Sequence, residues 1–165
     1  MRYAIVDVET TGFSPENDRV VEIGCAVLED GRITHTWNSL VNPGCAIPPY
    51  ATAVHGITDA DVAGAPPLAS LANRIVWICG GATIVAHNAR FDSSFLPMLS
   101  EQRWLCTVHL ARRAFPEAPN WRLQTLRDYL GIRHDVRFSE LTAHRALADA
   151  LITAELLRLC LRTLS

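Results

Sequence analysis

Three apolar-rich runs open the chain at residues 2–8, 20–28 and 33–41, and the last two are joined by Glu29-Asp30-Gly31-Arg32. Asp-Gly between two such runs is a strong hairpin signal, because the turn that matches strand twist needs positive φ at both central residues. The first run ends in the turn-rich Thr10-Thr11-Gly12-Phe13-Ser14-Pro15. Three adjacent antiparallel strands are therefore expected, and a sheet begun this way must be covered by the rest of the chain. A long Pro/Gly loop is expected over residues 42–53. A helix of about a dozen residues should begin at Pro66-Pro67, since Pro suits the first helical turn. Residues 83–86 read as a short buried strand, 88–101 as a helix, 105–107 as a short strand and 108–115 as a short helix. Another helix is expected over 123–130, stopped by Gly131. Leu147, Ala150, Leu151, Ala154, Leu157 and Leu161 recur at helical spacing, which predicts a long amphipathic helix packed on the sheet. A strand meander with alternating helices and strands after it is an α/β layer pattern.

The chain has 165 residues, 49% of them hydrophobic. That length buries about two-thirds of the unfolded surface, so one domain over residues 1–165 is expected. No apolar run approaches the roughly 18 to 20 residues that cross a bilayer, and the N-terminus reaches Asp7 without a signal-peptide pattern. The five cysteines are odd in number and contain no C-x-x-C pair, which points to free thiols in a reducing cytosol. A cytoplasmic location is the expectation. Net charge is −2 but uneven: residues 1–102 carry 5 Arg and 11 acids, residues 103–145 carry 8 Arg and 4 acids, and there is no Lys. Genomic base composition explains an Arg-only chain. Alternatively, Arg103, Arg112, Arg113, Arg122, Arg127, Arg133, Arg137 and Arg145 supply a modest phosphate-contacting face.

Five residues carry the chemistry. In Asp7-Val8-Glu9 the acids are two apart at a strand end, so both carboxylates project from one face. Their mutual repulsion is relieved by a hard cation such as Mg²⁺ or Mn²⁺, which favours oxygen ligands; a solvated strand end is the alternative. Asp92 comes after the short strand and sits one turn into the next helix, where it either joins the site or simply complements the helix dipole. His144 precedes Asp149 by five residues, an offset of about 140° on a helix. The two cannot share a face if both are helical, so His144 should lie on a loop or first turn and swing toward a site that Asp149 reaches from the helix body. Asp149 has apolar neighbours, and an unpaired buried carboxylate is costly. A metal would offset that cost, as would a salt bridge to an arginine.

These residues meet a known pattern. Asp7-x-Glu9 with Thr10-Thr11-Gly12, His87-Asn88-x-x-Phe91-Asp92, and His144-x-x-x-x-Asp149 resemble, in order, the three motifs of the DEDDh group, the DnaQ-like exonucleases. Val54-His55-Gly56-Ile57-Thr58 is similar to the loop that lies over the 3′-terminal nucleotide in that group. Val85-Ala86-His87-Asn88, Cys106-Thr107 and Leu110-Ala111-Arg112-Arg113 resemble its exonuclease X branch. The resemblance runs from Ile5 to about Leu157.

The resemblance implies an RNase H-like fold with a five-stranded mixed sheet flanked by helices, and digestion of DNA from the 3′ end to nucleoside 5′-monophosphates. It implies two Mg²⁺ ions, with Mn²⁺ as a substitute, held by Asp7, Glu9, Asp92 and Asp149. Two metals activate the water, stabilise charge on the phosphate and assist the leaving oxygen. His144 would be the general base, its ordinary pKa near 6.5 suiting neutral pH. Backbone around Val8, Thr10 and Thr11, the ring of Phe13, the His55 side chain and Asn88 would bind substrate; Phe13 also reads as a turn residue covering the core. The expected partner is nucleic acid, either single-stranded DNA or the 3′ ends of duplexes. RNA digestion of the ribonuclease T or oligoribonuclease kind shares the same acids and His. A polymerase-bound proofreading subunit is a further alternative, and the chain's end just after its last helix, with no polymerase-binding tail, favours a freestanding enzyme.

Overall fold

In the computed structural model, residues 1–133 and 144–165 are described. Strands β1 (Arg2–Thr10), β2 (Val20–Glu29) and β3 (Arg32–Leu40) form the expected antiparallel meander. The β2–β3 turn has Asp30 at φ 47° and Gly31 at φ 80°, the paired positive angles that the Asp-Gly signal predicts. Helices α1 (Pro49–His55), α2 (Asp59–Val62) and α3 (Leu68–Cys79) come next, then β4 (Thr83–Ala86) and α4 (Ala89–Phe95). A 3-10 turn over Pro97–Leu99 leads to β5 (Trp104–Cys106), α5 (Thr107–Ala114), α6 (Leu123–Tyr129) and α7 (Ala146–Leu164).

The sheet order is β3-β2-β1-β4-β5, with β4 parallel to β1 and β5 parallel to β4. This is the five-stranded mixed sheet flanked by helices. One face packs Val6, Val8, Ile23 and Cys25 against Ile75 and Ile78 of α3 and Phe95 of α4. The other packs Ile5, Ala26 and Leu28 against Leu147, Ala150, Leu151, Ala154 and Leu157 of α7. Strand alternation thus assigns successive β1 residues to opposite layers.

Three elements differ from the expectation. The loop expected to run to residue 53 already contains α1, which starts at Pro49. Pro there is at N1, where a missing N–H costs nothing, so a residue read as a loop marker is a helix start. Pro67 is the N-cap of α3 rather than part of its first turn. The helix expected over 88–101 stops at Phe95, with Leu96 leaving helical geometry at φ −120° and ψ 64°. Pro97 explains this, because proline disfavours a helical residue before it.

Candidate active site

The acids converge where β1 outruns β4. Pairing between those strands covers only Tyr3, Ala4 and Ile5, so the β1 edge is uncovered beyond that point. Asp92 of α4 enters this gap: it is 2% exposed and accepts a hydrogen bond from the Val8 N–H at 3.2 Å. Asp7 and Glu9 project from the α7 face of β1, as the two-residue spacing predicts. Asp149, in the first turn of α7, meets them there. One carboxylate oxygen from each of Asp7, Glu9 and Asp149 lies within 4.8 Å of the other two. Asp92 borders this trio rather than joining it at that distance.

Burial and mutual repulsion make these groups hard to ionise. Desolvation, then the charges of Asp92, Asp149, Glu9 and Glu22, hold Asp7 well above the usual carboxylate range. Desolvation and then the Asp149 and Glu22 charges push Glu9 up to about 8. Burial pushes Asp92 up to about 8 against the opposing hydrogen bond from Val8. Asp149 is raised by desolvation, with the Gln124 hydrogen bond opposing most strongly and His144 opposing through its charge and its backbone amide. Gln124 Nε2 donates to Asp149 Oδ1 at 2.8 Å, so among the described residues an amide from α6, not an arginine salt bridge, holds this acid.

His144 lies in the turn before α7, exposed, with φ 59°. Arg145 is the helix N-cap and its carbonyl accepts the Asp149 N–H at 3.0 Å. The expectation that His144 precedes the helix while Asp149 lies inside it is met.

The expected substrate groups divide into engaged and open ones. Val8 N–H is committed to Asp92, and Thr11 N–H donates to Arg19 O at 2.9 Å. Thr10 Oγ1 donates to Gly12 O at 2.6 Å, and Thr11 Oγ1 donates to Asp18 Oδ1 at 3.0 Å. His55 is 5% exposed, and both ring nitrogens are used: Nδ1 accepts from Ile57 N–H at 3.0 Å and Nε2 donates to Thr10 O at 3.3 Å. Desolvation lowers its pKa, which suits this neutral tautomer. His55 therefore fastens the end of α1 to the end of β1. Phe13 is 84% exposed, with its ring centroid 6.4 Å from that of Phe91, which settles it as an open ring rather than a core cover. Asn88 is exposed at φ 72° and makes no side-chain cap to α4.

Sequence reasoning misses Gln124 and Glu22. No spacing rule links Gln124 to Asp149; only the packing of α6 on α7 does. Charge distribution offers Arg145 as one of the arginines of a phosphate-contacting face; in the structure its guanidinium pairs with buried Glu22, Nη2 to Oε1 at 2.7 Å. Arg127 is paired with its neighbour Asp128 at 2.7 Å. Arg112 lies over the Trp121 ring at 5.2 Å, and Arg103, Arg113, Arg122 and Arg133 are exposed. Arg137 falls outside the described residues.

All five cysteines are free, three of them buried. Among the described residues, no helix is long and apolar enough to cross a membrane.

Known proteins share this architecture. The family profile described as Exonuclease matches residues 4–157. A Bacillus subtilis (strain 168) protein named 3′-5′ exonuclease DinG is 34% identical over 92% of this chain, which spans only 17% of that protein's length. The DNA polymerase III subunit epsilon of Aquifex aeolicus (strain VF5) is 30% identical, over 93% of this chain and 77% of its own. A solved structure of exonuclease X in complex with 5′-overhanging duplex DNA superposes with a TM-score of 0.87 and 35% identity, covering 98% of this chain and 92% of that one. The sheet and helices are accordingly RNase H-like, and the chain belongs to the DnaQ-like exonuclease family.

Proposed function

We propose that this chain, as a single exonuclease domain over residues 1–165, hydrolyses DNA from the 3′ end to nucleoside 5′-monophosphates. The observation that carries the reading is the convergence of Asp7, Glu9 and Asp149 oxygens within 4.8 Å, bordered by buried Asp92. An all-oxygen donor set, partly desolvated and mutually repelling, fits hard divalent cations. Asp7, Glu9, Asp92 and Asp149 would hold two Mg²⁺ ions, or Mn²⁺ in their place. Asp7 would be shared by both. Glu9 and Asp149 would complete the nucleophile side, with Asp92 ligating directly or through water. When bound, such ions lower the pKa of water and stabilise charge on the phosphate.

The chain's own groups supply the rest. His144, exposed on its turn, takes the proton of the attacking water and returns it to solvent. The open Phe13 ring stacks on a terminal base, which tolerates any sequence. Asn88, uncommitted to capping, contacts the phosphate backbone. His55 positions the Thr10 and Thr11 backbone along the terminal sugar, acting through the bond to Thr10 rather than touching substrate. A cytoplasmic enzyme serving DNA repair or replication fits this chemistry.

DNA as substrate is supported by relatives named for DNA polymerase III and by the exonuclease X complex with DNA. Assays with Mg²⁺ on oligonucleotides ending in one deoxy- or one ribonucleotide test it. Faster removal of the deoxynucleotide is expected, and faster removal of the ribonucleotide would favour an exoribonuclease of the ribonuclease T or oligoribonuclease kind. The epsilon-subunit relative favours a second reading, proofreading in association with a polymerase. Co-migration with a polymerase core would establish that reading. His144→Ala should lose most turnover while keeping metal affinity, and near-normal turnover would remove the base assignment.

A further inference from the structure

Glu22 stands among the catalytic carboxylates but has no role in the proposed reaction. It lies on β2 directly opposite Glu9 and is 1% exposed. Like charges facing each other across antiparallel strands are destabilising, and a buried carboxylate needs compensation. Among the described residues, the compensation comes from one place. Arg145 Nε donates to Glu22 Oε1 at 3.2 Å and to Oε2 at 3.0 Å, and Nη2 donates to Oε1 at 2.7 Å. Ala146 N–H, otherwise an orphan donor at the helix start, donates to Oε2 at 3.0 Å. All four bonds come from the two residues that connect His144 to α7.

The backbone around this contact has little freedom. A Cβ on Gly24, the next β2 residue on the same face, would lie 2.3 Å from the Ala146 carbonyl carbon, so the start of α7 rests directly on the strand. His144 itself holds φ 59°, a left-handed geometry uncommon among non-glycine residues. Asp149 has its own supports in Gln124 and the α7 core. For His144 the support on the helix side is Arg145.

We infer that Glu22 is a positioning residue: through Arg145 and Ala146 it latches the His144 turn to β2 and sets where the His144 ring stands relative to the acids of β1. The latch gives a buried acid in the metal neighbourhood a task other than metal binding, and gives Arg145 a task other than phosphate contact. The inference rests on the reading of His144 as the base, and its test keeps the two apart.

The test is a double-mutant cycle on a 3′-labelled single-stranded DNA with Mg²⁺, pairing Glu22→Gln and Arg145→Gln with His144→Ala, alongside Mn²⁺ titrations of each variant. Glu22→Gln should lower kcat by roughly 10- to 100-fold, the effect of displacing a reacting group by about 1 Å. KM should stay within about twofold, any shift of the Mn²⁺ midpoint caused by removing the Glu22 charge opposite Glu9 should be the same in both backgrounds, and at saturating Mn²⁺ Glu22→Gln should cost less than about twofold more kcat in the His144→Ala background. Arg145→Lys, which keeps the charge but loses the fork, should recover part of the kcat lost in Arg145→Gln. Equal losses in both backgrounds, or a kcat loss that saturating metal fully restores, would overturn the latch. Should Glu22→Gln not fold, the two Arg145 variants carry the same comparison. Should His144→Ala keep full turnover, the base reading fails by itself. The latch is then decided by the His144 Cε1–H NMR signal, which it predicts to shift and broaden in Arg145→Gln, and an unchanged signal contradicts it.

Discussion

The two faces of the sheet use the same strands to opposite ends. On the α3 and α4 side, Val6, Val8, Ile23 and Cys25 form a wholly apolar layer. On the α7 side, alternate residues of the same strands begin apolar, with Ile5 and Ala26, and turn acidic toward the end of β1, with Asp7, Glu9 and Glu22. The first face can be stable without any ligand. The second holds carboxylates that burial makes reluctant to ionise, so its charged form needs a cation. The difference shows how a strand serves stability and chemistry at once: period-two alternation keeps the core apolar while Asp7, Glu9 and Glu22 occupy the other layer, and among the described acids only Asp92 of α4 reaches the site from the first.

Substitutions on the two faces should therefore fail differently. Asp7→Asn is expected to lower turnover by about 1,000-fold, the worth of several kcal/mol of transition-state charge stabilisation. It should leave metal-free thermal stability equal or higher, because it removes a buried carboxyl that is costly to ionise. Oligonucleotide assays and melting in EDTA check both halves. On the apolar face, Ile78→Ala should cost about 2–5 kcal/mol in urea unfolding, with the Mn²⁺ midpoint of the folded protein unchanged. A shifted midpoint would show that the faces are coupled. Phe13→Ala, on the open rim, should cost about 1–3 kcal/mol of substrate binding, seen in KM with no loss of thermal stability.

A further effect concerns pH. Glu9 and Asp92 titrate near 8 in the folded protein against ordinary carboxylate values when unfolded. The stability associated with their protonated forms is full below the unfolded pKa and is lost as pH rises through about 8. In EDTA the melting temperature should fall between pH 5 and 8.5, and Mn²⁺ should restore more of it at the upper end. A metal-free melting temperature that rises over this window would contradict the raised values.

Much of this architecture is legible in the sequence for identifiable reasons. The Asp30-Gly31 turn specifies the first hairpin, alternation puts Asp7 and Glu9 on one face, and the helical offset separates His144 from Asp149. What escapes detection is set by packing between distant segments. Glu22 and Arg145 are 123 positions apart, and nothing local in either says that they meet. Gln124 finds Asp149 only because α6 packs on α7. Pro49 and Pro97 are visible but carry opposite meanings, one starting a helix and the other ending one, and their neighbours decide which.

The most direct test of the central claim is to monitor a 5′-labelled single-stranded DNA over time with the purified protein and Mg²⁺. Stepwise shortening from the 3′ end, release of nucleoside 5′-monophosphates, arrest by EDTA and near-complete loss in Asp7→Ala are predicted. Failure to shorten the strand with either Mg²⁺ or Mn²⁺, or shortening that persists in EDTA and in Asp7→Ala, would contradict it.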